Sequence, residues 1–304
     1  MGVHVWGAQK TACYHKPMTT PQTPSPLHRV QTWLSSPHPS ALAVGIVLAL
    51  AQFGAAAFSE LTGLGGRVSN NVTPMDMQSP EVPPGAFFAI WGVIFLLSAV
   101  YAVGRPIFRK PADATLYATL WPATTGLFAL SSVWMLLAQL VGDGWHLVIV
   151  IWAMWGLAFS ALRLATLASV SRWHGWVTQP LLGLYTGWLS VAVFLNTSSV
   201  LKPWVLQQTG LSLSVYAVGL LALAVVFSAW VAKQSKGLGW YGLAVLWAIV
   251  GIAIRAQELN LSGVHQVAIA VGIVWVLWVG WCGWVASRNA GGNEVSVANN
   301  GVAA

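Results

Sequence analysis

Asn196 is the residue best placed to do polar chemistry in an apolar setting. It closes the run Gly187-Trp188-Leu189-Ser190-Val191-Ala192-Val193-Phe194-Leu195-Asn196, and no other Asn or Asp sits so far inside an uncharged stretch. Gln52 and Gln139 are its amide relatives. An amide at that depth has two uses. The ordinary one is an interhelical hydrogen bond worth about 1 kcal/mol; the other is a polar handle for a ligand in an apolar pocket. Tryptophan is the second resource, with nineteen in the chain. Its ring needs burial and its N–H needs a partner, and the headgroup level of a bilayer supplies both. Trp91, Trp134, Trp145 and Trp188 could line a cavity for a flat ligand. Trp275, Trp278, Trp281 and Trp284 recur every third residue and read as packing or interface anchors, as do Trp152 and Trp155.

Other chemistries are poorly provided for. The seven histidines (His4, His15, His28, His38, His146, His174 and His265) all fall in tails or at the ends of apolar runs. No central histidine therefore offers itself to haem, and no acidic residue is expected at membrane depth as a proton relay. His146 and His265 sit near Asp143 and Glu258, a set that could in principle bind a metal; interfacial polar residues are the plainer reading, and no metal is expected. Cys13 and Cys282 have neither disulfide nor metal spacing. These absences argue against an enzyme, a redox carrier or a proton-coupled pump.

The elements that must position these residues follow from the charges. Only 7% of residues are charged. The charge-free windows run between Arg29 and Glu60, Glu81 and Arg105, Asp113 and Asp143, Asp143 and Arg163, Arg172 and Lys202, Lys202 and Lys233, Lys236 and Arg255, and Glu258 and Arg288. Each is about long enough to cross a ~30 Å hydrocarbon core as a helix. The runs are continuously apolar rather than alternating, which excludes a barrel. The expected fold is an all-α integral membrane protein of about eight transmembrane helices, near 40–59, 84–104, 115–140, 145–169, 180–201, 210–232, 239–255 and 264–286. Helices 3 and 4, and 7 and 8, should form antiparallel hairpins across short connections.

That arrangement puts eleven Lys and Arg on one side and only Arg67, Lys202 and Arg255 on the other. The net charge of +7 is thus a topology signal, with both termini cytoplasmic, rather than a mark of nucleic-acid binding. Residues 1–39, rich in proline and without acidic residues, read as a disordered cytoplasmic tail, with a targeting segment or a later start as alternatives. Residues 40–201 form one five-helix unit, 202–286 carry three additional helices, and 287–304 read as a second disordered tail.

Several segments resemble the TspO/MBR family, the tryptophan-rich sensory proteins known in mitochondria as translocator protein. Pro83-Pro84-Gly85-Ala86-Phe87-Phe88-Ala89-Ile90-Trp91 is similar to that family's approach to helix 2. Gly187 to Asn196 is similar to its helix 5 signature, and Gly126 to Trp134 more distantly to its helix 3 segment. Trp145, opening helix 4 after a glycine, fits a fourth landmark. The resemblance covers residues 40–201. It implies a pocket closed by the helix 1–2 connection, with Pro83 and Pro84 in the gating connection. Trp91, Ser131, Trp134, Trp145, Trp188, Ala192, Leu195 and Asn196 would line it. The family's helix 3 Asn-Trp pair stands here as Ser131-Ser132, and the tyrosine of its sterol motif is missing between Leu195 and Lys202.

The expected function is a membrane binding or sensory protein for a planar hydrophobic ligand such as a tetrapyrrole. Porphyrin or haem would be ligand rather than cofactor. The partners are that ligand and the lipid bilayer; a homodimer is admitted but not required. The expected location is a bacterial plasma membrane. The alternative is a uniporter or exporter of a small hydrophobic molecule, with the 60–83 connection as its gate.

Overall fold

The computed structural model describes residues 39–65, 79–108, 114–167 and 172–301. Of the tail expected over 1–39, residues 1–38 lie outside the described residues, as does the middle of the first connection, and Pro39 already opens a helix. All regular structure among the described residues is helical. The long helices are α1 Pro39–Ala56, α2 Ile90–Phe108, α3 Ala114–Leu140, α4 Trp145–Leu167, α5 Gln179–Thr209, α6 Leu213–Gln234, α7 Gly239–Glu258 and α8 Ser262–Gly301. A short helix, Phe58–Thr62, continues the line of α1 and ends on Gly63 at φ +70°. A 3-10 turn, Gly85–Ala89, leads into α2, and a π-helical turn, His174–Thr178, leads into α5. Among the described residues seven helical spans are long and apolar enough to cross a membrane, and α1 is apolar but shorter. By helix length and hydropathy this is an integral membrane protein.

Helices α5 and α8 run furthest past their expected ends. The sequence reading stops α5 before Lys202-Pro203, taking the charge as the water boundary; the helix instead carries both residues and closes at Gly210, φ +66°. The lysine can stay in a buried helix because its charge is met by a carboxylate, and the proline gives up only one backbone donor. Helix α8 runs on to Gly301, past the expected end near 286.

Helix α5 is the axis of the molecule. It packs against α2, α4, α6 and α7, while α1 packs on α2 and α3, and α8 on α6 and α7. The expected hairpins α3–α4 and α7–α8 are both formed. Small residues set the α5–α7 spacing: a Cβ added to Gly187 would lie 2.6 Å from the Tyr241 carbonyl oxygen and 2.8 Å from the Ala244 Cβ. This is the close approach that small residues permit between helices in lipid.

Several polar groups at this junction pair with one another, which lowers the cost of burying them away from water. Ser190 Oγ donates to the Thr186 carbonyl at 2.8 Å and accepts from Trp155 Nε1 at 3.1 Å. The Tyr241 hydroxyl lies 3.1 Å from the same oxygen and 3.2 Å from the Ser228 carbonyl. Helices α4, α5, α6 and α7 thus meet at one buried node.

Candidate aromatic site

Four of the expected site residues are brought together between α2, α3 and α5. The rings of Trp91 and Trp134 lie 6.1 Å apart at 27°, close to parallel, and Trp188 stands edge-on to Trp91 at 6.4 Å and 87°. All three are at least 94% buried. Trp134 Nε1 donates to Asn196 Oδ1 at 3.3 Å, and Asn196 Nδ2 donates to the Ala192 carbonyl at 3.0 Å. The interhelical use of Asn196 is therefore realised, and its partner is a site tryptophan. Phe88 adds an edge contact to Trp188 at 5.7 Å.

Below this stack, Tyr185 stands edge-on to Trp91 and donates to Gln52 Oε1 at 2.9 Å. Trp188 Nε1 is buried here without a hydrogen-bond partner among the described residues, and the Ser131 side chain lies beside the Tyr185 hydroxyl. Ala192 is buried and Leu195 is half-buried against the core. Trp145 is placed differently. It is 55% exposed at the start of α4 and stands outside the stack.

A second aromatic group fills the groove between α4 and α6 over α5. Trp155 stacks on Phe159 at 5.1 Å and 9°, and Phe227 packs on Trp155, Trp152 and Phe194 at 4.8, 5.9 and 5.4 Å. On α8, Trp275 is buried and donates to the Gly242 carbonyl at 2.9 Å, while Trp281 and Trp284 are half exposed. Part of that stripe is therefore packing and part faces outward.

The helix 1–2 connection is pinned at both ends. At its start, Gln139 on α3 donates to the Ala55 carbonyl at 2.7 Å and accepts from the Ser59 N–H at 2.9 Å. At its end, the segment Ser79–Ala89 lies along α5 and α7. Pro83 is buried there and Pro84 half-buried. Gly251 of α7 meets Pro83 and Phe87 so closely that an added Cβ would lie 2.8 and 2.9 Å from their atoms. Trp247 Nε1 donates to the Phe87 carbonyl at 2.9 Å.

The sequence reading placed every charge at an aqueous end and none in the interior, and the structure corrects this. Lys202 Nζ lies 3.0 Å from Glu81 Oε1, with both side chains only 2% exposed, and it also donates to Ser79 Oγ. Each residue bounds an apolar run, so a linear reading assigns both to water; their pairing across 121 residues is a tertiary fact. A pair of opposite charges flanking a presumed lid was the only available signal. His174, expected at a helix end, is likewise fully buried, its Nε2 2.9 Å from the Ala165 carbonyl. His146 and His265 each meet a backbone carbonyl, at 3.0 and 2.9 Å. Among the described residues no group of three or more His, Cys, Asp or Glu is arranged to hold a metal ion.

These features define a helical membrane protein with a buried tryptophan cluster and a first connection held at both ends. The model of the TSPO-like protein family matches residues 42–284, and the chain belongs to that family. The match does not stop at the fifth helix; it takes in α6, α7 and nearly all of the apolar part of α8. No curated protein and no solved structure matches the chain.

Proposed function

We propose that this protein is a non-enzymatic membrane binding or sensory protein, and that the Trp91–Trp134–Trp188 group takes a planar hydrophobic ligand such as a tetrapyrrole. The observation that carries this reading is the arrangement of the three rings. Two near-parallel indoles and a third at right angles offer both a face and a wall to a flat polycycle. The buried Trp188 Nε1 has no partner among the described residues, and an unmade hydrogen bond of that kind is costly unless something supplies an acceptor. A ligand nitrogen or carbonyl would do so. Because Trp91 and Trp134 are in contact, a ligand enters by extending or parting their stack. The lysine and arginine bias supports a topology with both termini cytoplasmic and the first connection outside, which we assign to a bacterial plasma membrane.

The test is a titration of protoporphyrin IX against the purified protein, followed by quenching of tryptophan emission. Trp188→Ala should weaken the fitted affinity, whereas Trp281→Ala, on the half-exposed face of α8, should leave it unchanged. Equal losses from both substitutions would remove the site from this position.

A further inference from the structure

We propose that the groove between α4 and α6 binds an anionic phospholipid, its phosphate against Arg163 and Lys236 and one acyl chain along the aromatic rings beneath. The inference uses only the membrane fold and stands apart from the tetrapyrrole reading. Helices α4 and α6 both pack on α5 but not closely on each other. Aromatic rings occupy the space between them: Trp155 lies 4.8 Å from Phe227, and Phe159 lies 5.1 Å from Trp230. None of the four is fully covered, and Trp230 is 47% exposed. The groove thus offers the bilayer a row of rings along which an acyl chain gains many small dispersion contacts.

Positive charge gathers where this groove ends. On α4, Arg163 and Thr166 follow Phe159 at helical spacing, which keeps them on its face, and Arg163 is exposed. On α6, exposed Lys233 follows Trp230 by one turn. Lys236, in the α6–α7 turn, joins the two walls: its Nζ reaches the Thr166 carbonyl of α4 at 3.4 Å. Its backbone holds φ +56°, a region that glycine and asparagine occupy more readily, so turn geometry does not account for a lysine there. No acidic residue occurs between Asp143 and Glu258. Helices α4, α5 and α6 and the turn therefore supply no carboxylate to these cations, and none of the three is in a salt bridge among the described residues. A basic recess between membrane helices at headgroup level is a receptor for anionic headgroups. The Trp230 N–H, one turn below the cations, has no hydrogen-bond partner among the described residues; an indole at that level suits the boundary between headgroup and chains.

Dioleoyl phosphatidylglycerol and dioleoyl phosphatidylcholine are the probes, because they share their chains and differ in headgroup charge. Native mass spectrometry of the purified full chain in an equal mixture of the two reads the ratio of retained lipids. Wild type should favour phosphatidylglycerol. Arg163→Gln and Lys236→Asn should each lower the ratio about fivefold, the size of one cation at a lipid surface. Asparagine suits the positive φ, so Lys236→Asn removes the charge and leaves the turn in place. Arg288→Gln removes the same charge from α8, where Arg288 stands over the Trp284 ring at 4.3 Å, and should leave the ratio unchanged. Equal losses from Arg288→Gln and Arg163→Gln overturn the proposal, because lipid would then follow net charge rather than the groove. A wild-type ratio of one overturns it as well. A dimer that retains no lipid also overturns it and gives the groove to a second copy of the chain.

Discussion

Trp247 and Phe87, 160 residues apart in sequence, are joined twice: the indole N–H donates to the phenylalanine carbonyl at 2.9 Å, and the two rings lie 4.6 Å apart at 42°. One partner belongs to the segment leading into α2 and the other to α7, so α7 holds that segment in place. Trp247→Phe keeps most of the ring contact and removes the donor. Thermal unfolding in detergent should show a loss of about 1 kcal/mol, accompanied by faster porphyrin association as the segment loosens. A slower association would count against α7 as a brace.

Gly251 tests the same contact by steric means. An alanine Cβ there would lie 2.8 Å from Pro83 and 2.9 Å from the Phe87 ring. Overpacking of this kind costs roughly 1–3 kcal/mol. Gly251→Ala should therefore destabilise the protein despite alanine's better helix propensity; a rise in melting temperature would show that the segment yields freely.

The Trp134–Asn196 hydrogen bond can be isolated by a double-mutant cycle. Trp134→Phe, Asn196→Ala and their combination should give a coupling near 0.6 kcal/mol, the usual size for such bonds in membrane proteins. A coupling of zero would mean that the 3.3 Å contact contributes shape but no energy.

Gln139→Leu removes both the donor to Ala55 and the acceptor for Ser59 while keeping the volume nearly constant. Because Gln139 is buried, the expected cost is about 2 kcal/mol from backbone groups left unpaired. Hydrogen exchange should rise at Ser59 and its helical neighbours. Protection unchanged at Ser59 would show that the short helix needs no pin.

What could be read from the sequence followed the apolar patterning. Uncharged windows marked the helices, and a tryptophan or asparagine inside a window had to face a neighbouring helix or lipid. Trp91, Trp134, Trp188 and Asn196 were therefore visible as candidates, the more so once their flanking segments matched a family pattern. Trp145 carried the same kind of label, yet it stands at a helix start, where being a landmark does not imply facing inward. Lys202 and Glu81 were misread for a physical reason: a charge at the edge of an apolar run is normally solvated, and only the fold shows that the two edges meet. The brace formed by Trp247 and Gly251 was hidden similarly. A glycine in an apolar helix carries no mark of what lies against it.

The two pins on the first connection also belong to different helices. Gln139 of α3 fixes the chain at Ala55 and Ser59, and Lys202 of α5 fixes it again at Ser79 and Glu81. A sliding of α3 against α5 would therefore pull the two anchorages apart, so the connection reports on the relative position of two helices as well as on what lies between them.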